Sequence, residues 1–211
     1  MVSWENKRNL VSWWIWKLDR KKPLNRADSG ARANGTKCMA LNFIPMTRED
    51  LPDVGRIQED AYPDYFLEDL SVLAAKRELC PKGCWMCVVD ETPVGYMFSH
   101  PGHLSSPPGL NTMLKNSHAS AGVDCYFIHD VAVMSSHRGL GIARAFVERA
   151  IRAAMMDGHI TVALVSVQGS RSYWERLGFR PVPGPEETLN YIRRSYGEAA
   201  CYMVKRFLAS G

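Results

Sequence analysis

Two sets of residues in this chain have the type and spacing to do chemistry. The first is a glycine-rich turn, Arg138-Gly139-Leu140-Gly141-Ile142-Ala143, where a β-branched run gives way to a helical pattern. A helix start leaves backbone N–H groups unpaired and carries partial positive charge, so such a turn can hold a phosphate. Gly139 and Gly141 let the backbone approach a ligand closely, and Ala143 keeps the next turn small. Taken alone, the same turn equally fits a tight strand-to-helix connection with no ligand. The second set is Cys80, Cys84 and Cys87, which invite a zinc reading. Their spacing lacks a second Cys pair or a His pair, and at a strand edge Cys84 and Cys87 point to opposite faces. They read as small buried hydrophobes, and no metal is expected.

The elements that must position the turn follow from periodicity. Tyr126 to Val133 is rich in β-branched and aromatic residues and predicts a strand. Downstream, Ile142, Phe146, Ala150 and Ala154, with Val147 and Ile151, recur at helical spacing. Leu41 to Pro45 predicts a first strand. A helix follows, capped by Thr47 or Asp50, with Leu51, Val54, Ile57 and Ala61 on its buried face. Pro63 breaks it, and Leu67, Leu70, Leu73 and Ala74 mark a second helix. Trp85–Val89 and Val94–Ser99 predict a hairpin joined across Asp90 to Pro93, and Pro101 to Gly122 predicts a mobile loop. A strand over Ile160–Val167, a short helix over Ser170–Leu177 and a last strand over Ala199–Leu208 complete the order.

Val133-x-x-x-x-Arg138-Gly-x-Gly141-x-Ala143 resembles the pyrophosphate-binding motif of the GNAT superfamily of acyl-CoA-dependent N-acyltransferases. Tyr173-Trp174-Glu175-Arg176-Leu177-Gly178-Phe179 is similar to that family's aromatic-x-x-Leu-Gly-Phe helix end. A dinucleotide-binding turn is the rival, but it needs a third glycine where Arg144 stands and belongs near the start of a domain. The resemblance implies an α/β fold with a GNAT-like mixed, mostly antiparallel central sheet flanked by helices. A splayed parallel strand pair would lie at the cofactor site. It covers roughly residues 39–207, within a domain read as 39–211 after a leader over 1–38.

The resemblance further implies acetyl transfer from acetyl-CoA to a primary amine of a small molecule or peptide, by direct attack in a ternary complex. The backbone of Val131, Ala132 and Val133 would pair with the pantetheine arm. The amides from Arg138 through Gly139, Leu140, Gly141, Ile142 and Ala143 would hold the pyrophosphate. Many family members carry a Glu where this chain has Phe127, which cannot take a proton. On strand alternation Phe127, His129, Val131 and Val133 share one face, opposite Tyr126, Ile128 and Asp130. His129 is therefore the candidate base, directly or through water, against a hydrogen-bonded core histidine with Asp130 as a buried partner for backbone. The family's usual Tyr acid is replaced by Trp174, whose indole releases no proton at useful pH. Trp174 is read as lining the cofactor channel, with solvent protonating the thiolate. Between the first two helices, Tyr62 and Asp64 lie among aromatic rings and carboxylates that suit a cationic amine. An ordinary solvated acidic loop is the alternative. A non-catalytic acyl-CoA-binding domain stays open, suggested by Phe127 and Trp174.

Composition limits the other classes. The net charge of +4 is unevenly placed, since residues 1–38 hold nine Lys/Arg and three Asp/Glu, hence +6, and the remainder carries −2. The rest of the chain is slightly acidic, so no nucleic-acid partner is expected. The apolar run Leu10–Trp16 is too short to span a bilayer and makes a poor signal peptide. Scattered cysteines without a secretory signal point to a cytoplasmic setting. Trp4, Trp13, Trp14 and Trp16 beside Arg20, Lys21 and Lys22 would also suit a membrane surface, against the plainer reading of a loosely packed appended leader. Oligomeric state is not legible.

Overall fold

The computed structural model describes residues 40–114, 122–183 and 185–207. The leader, with its tryptophans and basic run, lies outside the described residues. Among those described, strands β1 (Asn42–Pro45), β2 (Trp85–Val89), β3 (Thr92–Gly102), β4 (Cys125–Val133), β5 (Thr161–Ser166), β6 (Arg180–Pro181) and β7 (Cys201–Arg206) form one sheet. The spatial order is β1-β2-β3-β4-β5-β7-β6. Neighbours run antiparallel except β4 and β5, which are parallel and joined through a helix. The helices are α1 (Leu51–Ala61), α2 (Leu70–Leu79), α3 (Ile142–Met156), α4 (Arg171–Arg176) and α5 (Glu186–Tyr196). This is the α/β architecture expected from the motifs.

Each face of the sheet is closed by helices that bury a narrow apolar stripe. α3 places Ile142, Phe146, Val147, Ala150 and Ala154 in a core with Tyr126 and Ile128 of β4 and Val162 and Leu164 of β5. On the opposite face Val54 and Ile57 of α1 and Leu73 of α2 pack on Tyr96, Phe98 and Ala132. Further along that face, Ile192 and Tyr196 of α5 pack on Cys125, Phe127 and Ala163. Cys84 and Cys87 fall in the cores on opposite sides of the sheet.

Several expectations need correction. α5 and the short β6 were not expected. The signal for α5 was present: Leu189, Ile192 and Tyr196 at helical spacing, Glu186 and Glu187 in the first turn, arginines in the last and Gly197 beyond. The β2–β3 connection is only two residues, Asp90 and Glu91, both at positive φ (45° and 65°). That twist matches the flanking strands, so β3 starts earlier and runs on to Gly102. Asp50 does not cap α1 with its side chain. Its carboxylate instead accepts from the Thr47 N–H and hydroxyl. The described part of the segment read as a mobile loop is tied down. Leu104 and Pro108 carbonyls accept from Tyr202 and Tyr196, and the Leu110 N–H donates to Ser195 Oγ.

Candidate active site

The parallel pair β4/β5 is joined only at Tyr126–Val162, Phe127–Ala163 and Ile128–Leu164, although both strands continue. Beyond Ile128 they part, and a cleft of about 330 Å³ opens between them. The cause is visible in the pairing of β4 with β3, where Phe98 opposes Asp130 and Ser99 opposes Ile128. His129 is the extra residue of a β-bulge, which bends the strand and disrupts the ladder. The bulge also overturns the expected alternation. Ile128 and Val131 pack into the same core beneath α3, so the two share a face rather than opposing each other. His129 and Asp130 both reach groups from the other side, where α1 and α2 lie.

A buried polar cluster occupies that side. Gln58 of α1 clamps Glu68 through its backbone, donating to the Glu68 carbonyl (2.9 Å) and accepting from its N–H (3.1 Å). The Glu68 carboxylate then bridges Lys76 of α2 and His129 Nε2, the latter at 2.6 Å. Lys76, 2 % exposed, brings its charge to Glu68, which is itself buried. Burial alone would raise the Glu68 carboxyl, but His129 and Lys76 outweigh it and hold it down to about 2. Burial in turn lowers Lys76, opposed by Glu68. Asp130 accepts from the hydroxyls of Tyr62 (2.6 Å) and Tyr96 (2.7 Å). Burial still raises its carboxyl against those two bonds. The expected backbone partner for Asp130 is therefore replaced by two phenols. The same Tyr62 hydroxyl lies 2.9 Å from the Val131 carbonyl.

The glycine-rich turn is held at the mouth of the cleft. Asp60, near the end of α1, accepts from the Ser135 N–H and hydroxyl and so ties α1 to the chain leaving β4. Gly139 and Gly141 sit at φ +83° and +81°, a left-handed conformation that side chains resist. A Cβ at either would meet nothing within 4 Å. The glycines thus answer to backbone conformation, and open space stands over the turn. Gly141 is the N-cap of α3 and supplies no side chain to its first amides. Free amides, an open approach and Arg138 at the cleft wall fit an anionic group such as the pyrophosphate of acetyl-CoA.

Of the residues singled out by sequence, Val131, Ala132, Val133, Arg138, Ala143, Trp174, His129 and Tyr62 line one cleft. Gly139, Leu140 and Gly141 are exposed on the turn, and the Ile142 side chain is buried in the core. Asp64 is exposed and does not line the cleft. The His129 ring has 0 % exposure, so it cannot meet an amine directly in this conformation. Trp174 donates from Nε1 to Ser170 Oγ at 3.0 Å and packs edge-on against Tyr173 and Phe179. Tyr173, next to Trp174 on the short helix α4, lines the cleft as well. Sequence reasoning missed the partnership of Glu68 and Lys76 with His129. Glu68 was visible only as one acidic residue among several, and Lys76 as one polar position on a helix. A lysine on the buried face of α2, one turn after Leu73, was the available signal.

Comparison with known proteins bears on the fold and the family. A search of curated proteins found no relative by sequence. Among solved structures, Ard1 from Thermoplasma volcanium superposes with a TM-score of 0.60 at 15% identity, covering 81% of this chain and 99% of that one. Arabidopsis thaliana Naa50, solved with the bisubstrate analogue CoA-Ac-MVNAL, gives 0.57 at 13% identity, with 79% and 99% covered. The ribosomal-protein-S18-alanine N-acetyltransferase from Escherichia coli gives 0.55 at 15%, with 82% and 97% covered. At these identities the likeness speaks for the fold. The sequence pattern of the Acetyltransferase (GNAT) family, however, matches residues 49–179, from the start of α1 through the splayed strands and glycine turn to Phe179, and the chain belongs to that family.

Proposed function

We propose that this protein transfers an acetyl group from acetyl-CoA to a primary amine of a small molecule or peptide, by direct attack within a ternary complex. The observation that carries the proposal is the β4/β5 gap running into an open, uncapped helix start. Acetyl-CoA supplies the acyl thioester. Unpaired backbone beyond Ile128 on β4 receives the pantetheine arm, and the amides from Gly139 to Ala143 hold the pyrophosphate, the Arg138 N–H being donated to the Ser135 carbonyl. Trp174 and Tyr173 wall the channel. As the amine nitrogen bonds to the acyl carbon, the carbon–sulfur bond breaks. The amine's proton passes through a water molecule to His129, whose enclosed ring calls for that relay, and solvent protonates the thiolate.

Peptide amines are supported by the fold neighbours described as acting on, or bound to, peptide-like substrates. The carboxylates expected to attract a cationic acceptor are mostly engaged, since Asp60 holds Ser135 and Glu68 holds Lys76 and His129. Tyr62 and Phe66 present rings to the cleft instead. The test is release of free CoA thiol from acetyl-CoA across a panel of peptide and small-molecule amines, with wild type and His129→Ala. Amine-dependent release lost in the variant supports the assignment. Acetyl-CoA binding with no release for any amine would favour a second reading, a non-catalytic acyl-CoA sensor, for which the enclosed His129 ring is the specific observation.

A further inference from the structure

His129 has two ring nitrogens in opposite circumstances. Nε2 lies 2.6 Å from Glu68 Oε1. Nδ1 is buried and has no hydrogen-bond partner among the described residues. We propose that Glu68 and Lys76 are positioning residues that hold His129 as the Nε2–H tautomer and keep its Nδ1 lone pair free to accept a proton. This rests on the reading of His129 as the group that receives the amine proton.

The chemistry of the donors and acceptors leads there. An ionised carboxylate has only lone pairs to offer, so the hydrogen between Glu68 and His129 belongs to Nε2. The neutral ring then has its acceptor at Nδ1. A buried acceptor without a partner is uncommon in a folded chain, and a proton-accepting role is one of the few reasons to keep one. Glu68 cannot drift, because Gln58 grips its backbone from both sides and Lys76 holds its second oxygen. Lys76 adds an electrostatic effect. Its ammonium offsets part of the Glu68 charge that faces the ring. Other groups facing the ring come from each packed element. Asp130 of β4 is held by Tyr62, the residue that follows α1, and by Tyr96 of β3, and His100 of β3 lies 6.0 Å away between ring centroids. Tyr196 of α5 lies close enough to feel the charges of Glu68 and Asp130.

The decisive measurement is long-range proton–nitrogen NMR on the full chain carrying ¹⁵N-histidine, over a pH series and without any ligand. The wild type should show the neutral His129 ring with its proton on Nε2. Glu68→Gln removes the anion and leaves Lys76, so the His129 midpoint should fall by about one pH unit or more, with loss of the tautomer preference. Lys76→Met leaves Glu68 uncompensated, so the midpoint should rise by about one unit or more. An ion chain that served packing alone would lower the melting temperature in both variants and leave the tautomer of the neutral ring unchanged in Glu68→Gln. The proposal is overturned by an Nδ1–H tautomer in the wild type, by unchanged midpoints, or by shifts of the same sign. If a variant fails to fold, the wild-type tautomer alone decides. Thioester turnover does not enter this readout, so a failed acetyl-transfer assay and a failed tautomer assignment remain separate results.

Discussion

Gly141→Asp, compared with Gly141→Asn, isolates the electrostatic role of the turn. Gly141 sits at φ +81°, and a side chain there enters open space. The left-handed conformation costs most residues about 1–2 kcal/mol, but Asp and Asn bear it best, and both are favoured at a helix N-cap, the position Gly141 holds. Both variants should therefore fold, with stability within about 1 kcal/mol of wild type. They differ in charge. A carboxylate about 5 Å from one phosphate charge repels it by about 3 kcal/mol at an effective dielectric constant of about 20. Screening at physiological salt, with a Debye length of about 8 Å, leaves roughly 2 kcal/mol. That corresponds to a loss of at least about 20-fold in affinity for acetyl-CoA per phosphate charge in reach. Calorimetric titration with acetyl-CoA measures it, repeated at higher salt, where the gap between Asp and Asn should narrow. Equal affinities for the two variants, within about threefold at low salt, would refute the placement of an anionic group over this turn.

Other outcomes follow from the same contacts. The Glu68 carboxyl is held down to about 2 by His129 and Lys76, so the protonated form is favoured less in the folded chain than in the unfolded one. Its stabilising contribution is present above the ordinary carboxyl range near 4.5 and is lost as pH falls toward 2. Denaturant titrations over that window should show wild type losing stability more steeply than Glu68→Gln. Tyr96→Phe removes the 2.7 Å bond to Asp130 Oδ2 and should cost about 1–3 kcal/mol in urea unfolding. Phe146→Ala empties a fully buried site that meets Phe43 edge-on at 5.1 Å. A cost of about 3–5 kcal/mol is expected, read as a large drop in melting temperature.

Much of the sheet and the glycine-rich turn was legible in the sequence because the information there is local. The β-branched run Tyr126–Val133, the helical stripe from Ile142 and two glycines between them specify strand, turn and helix through short-range sterics and burial. The two-residue hairpin at Asp90-Glu91 was harder, since neither residue carries the usual Asn-Gly mark of a left-handed turn. The polar cluster around His129 was not legible, for a non-local reason. Strand alternation assigns faces correctly only while the ladder is regular, and the bulge at His129 depends on how β4 meets β3. Glu68, Lys76 and His129 are spread over 62 residues of sequence, and no local pattern links an acidic loop residue to a lysine on a helix or a histidine in a strand. By itself the sequence determined the motif-bearing strand, turn and helix and hence the family. Only the tertiary structure decided which charges are buried together, because desolvation penalises an isolated charge and three packed elements are needed to supply its partners.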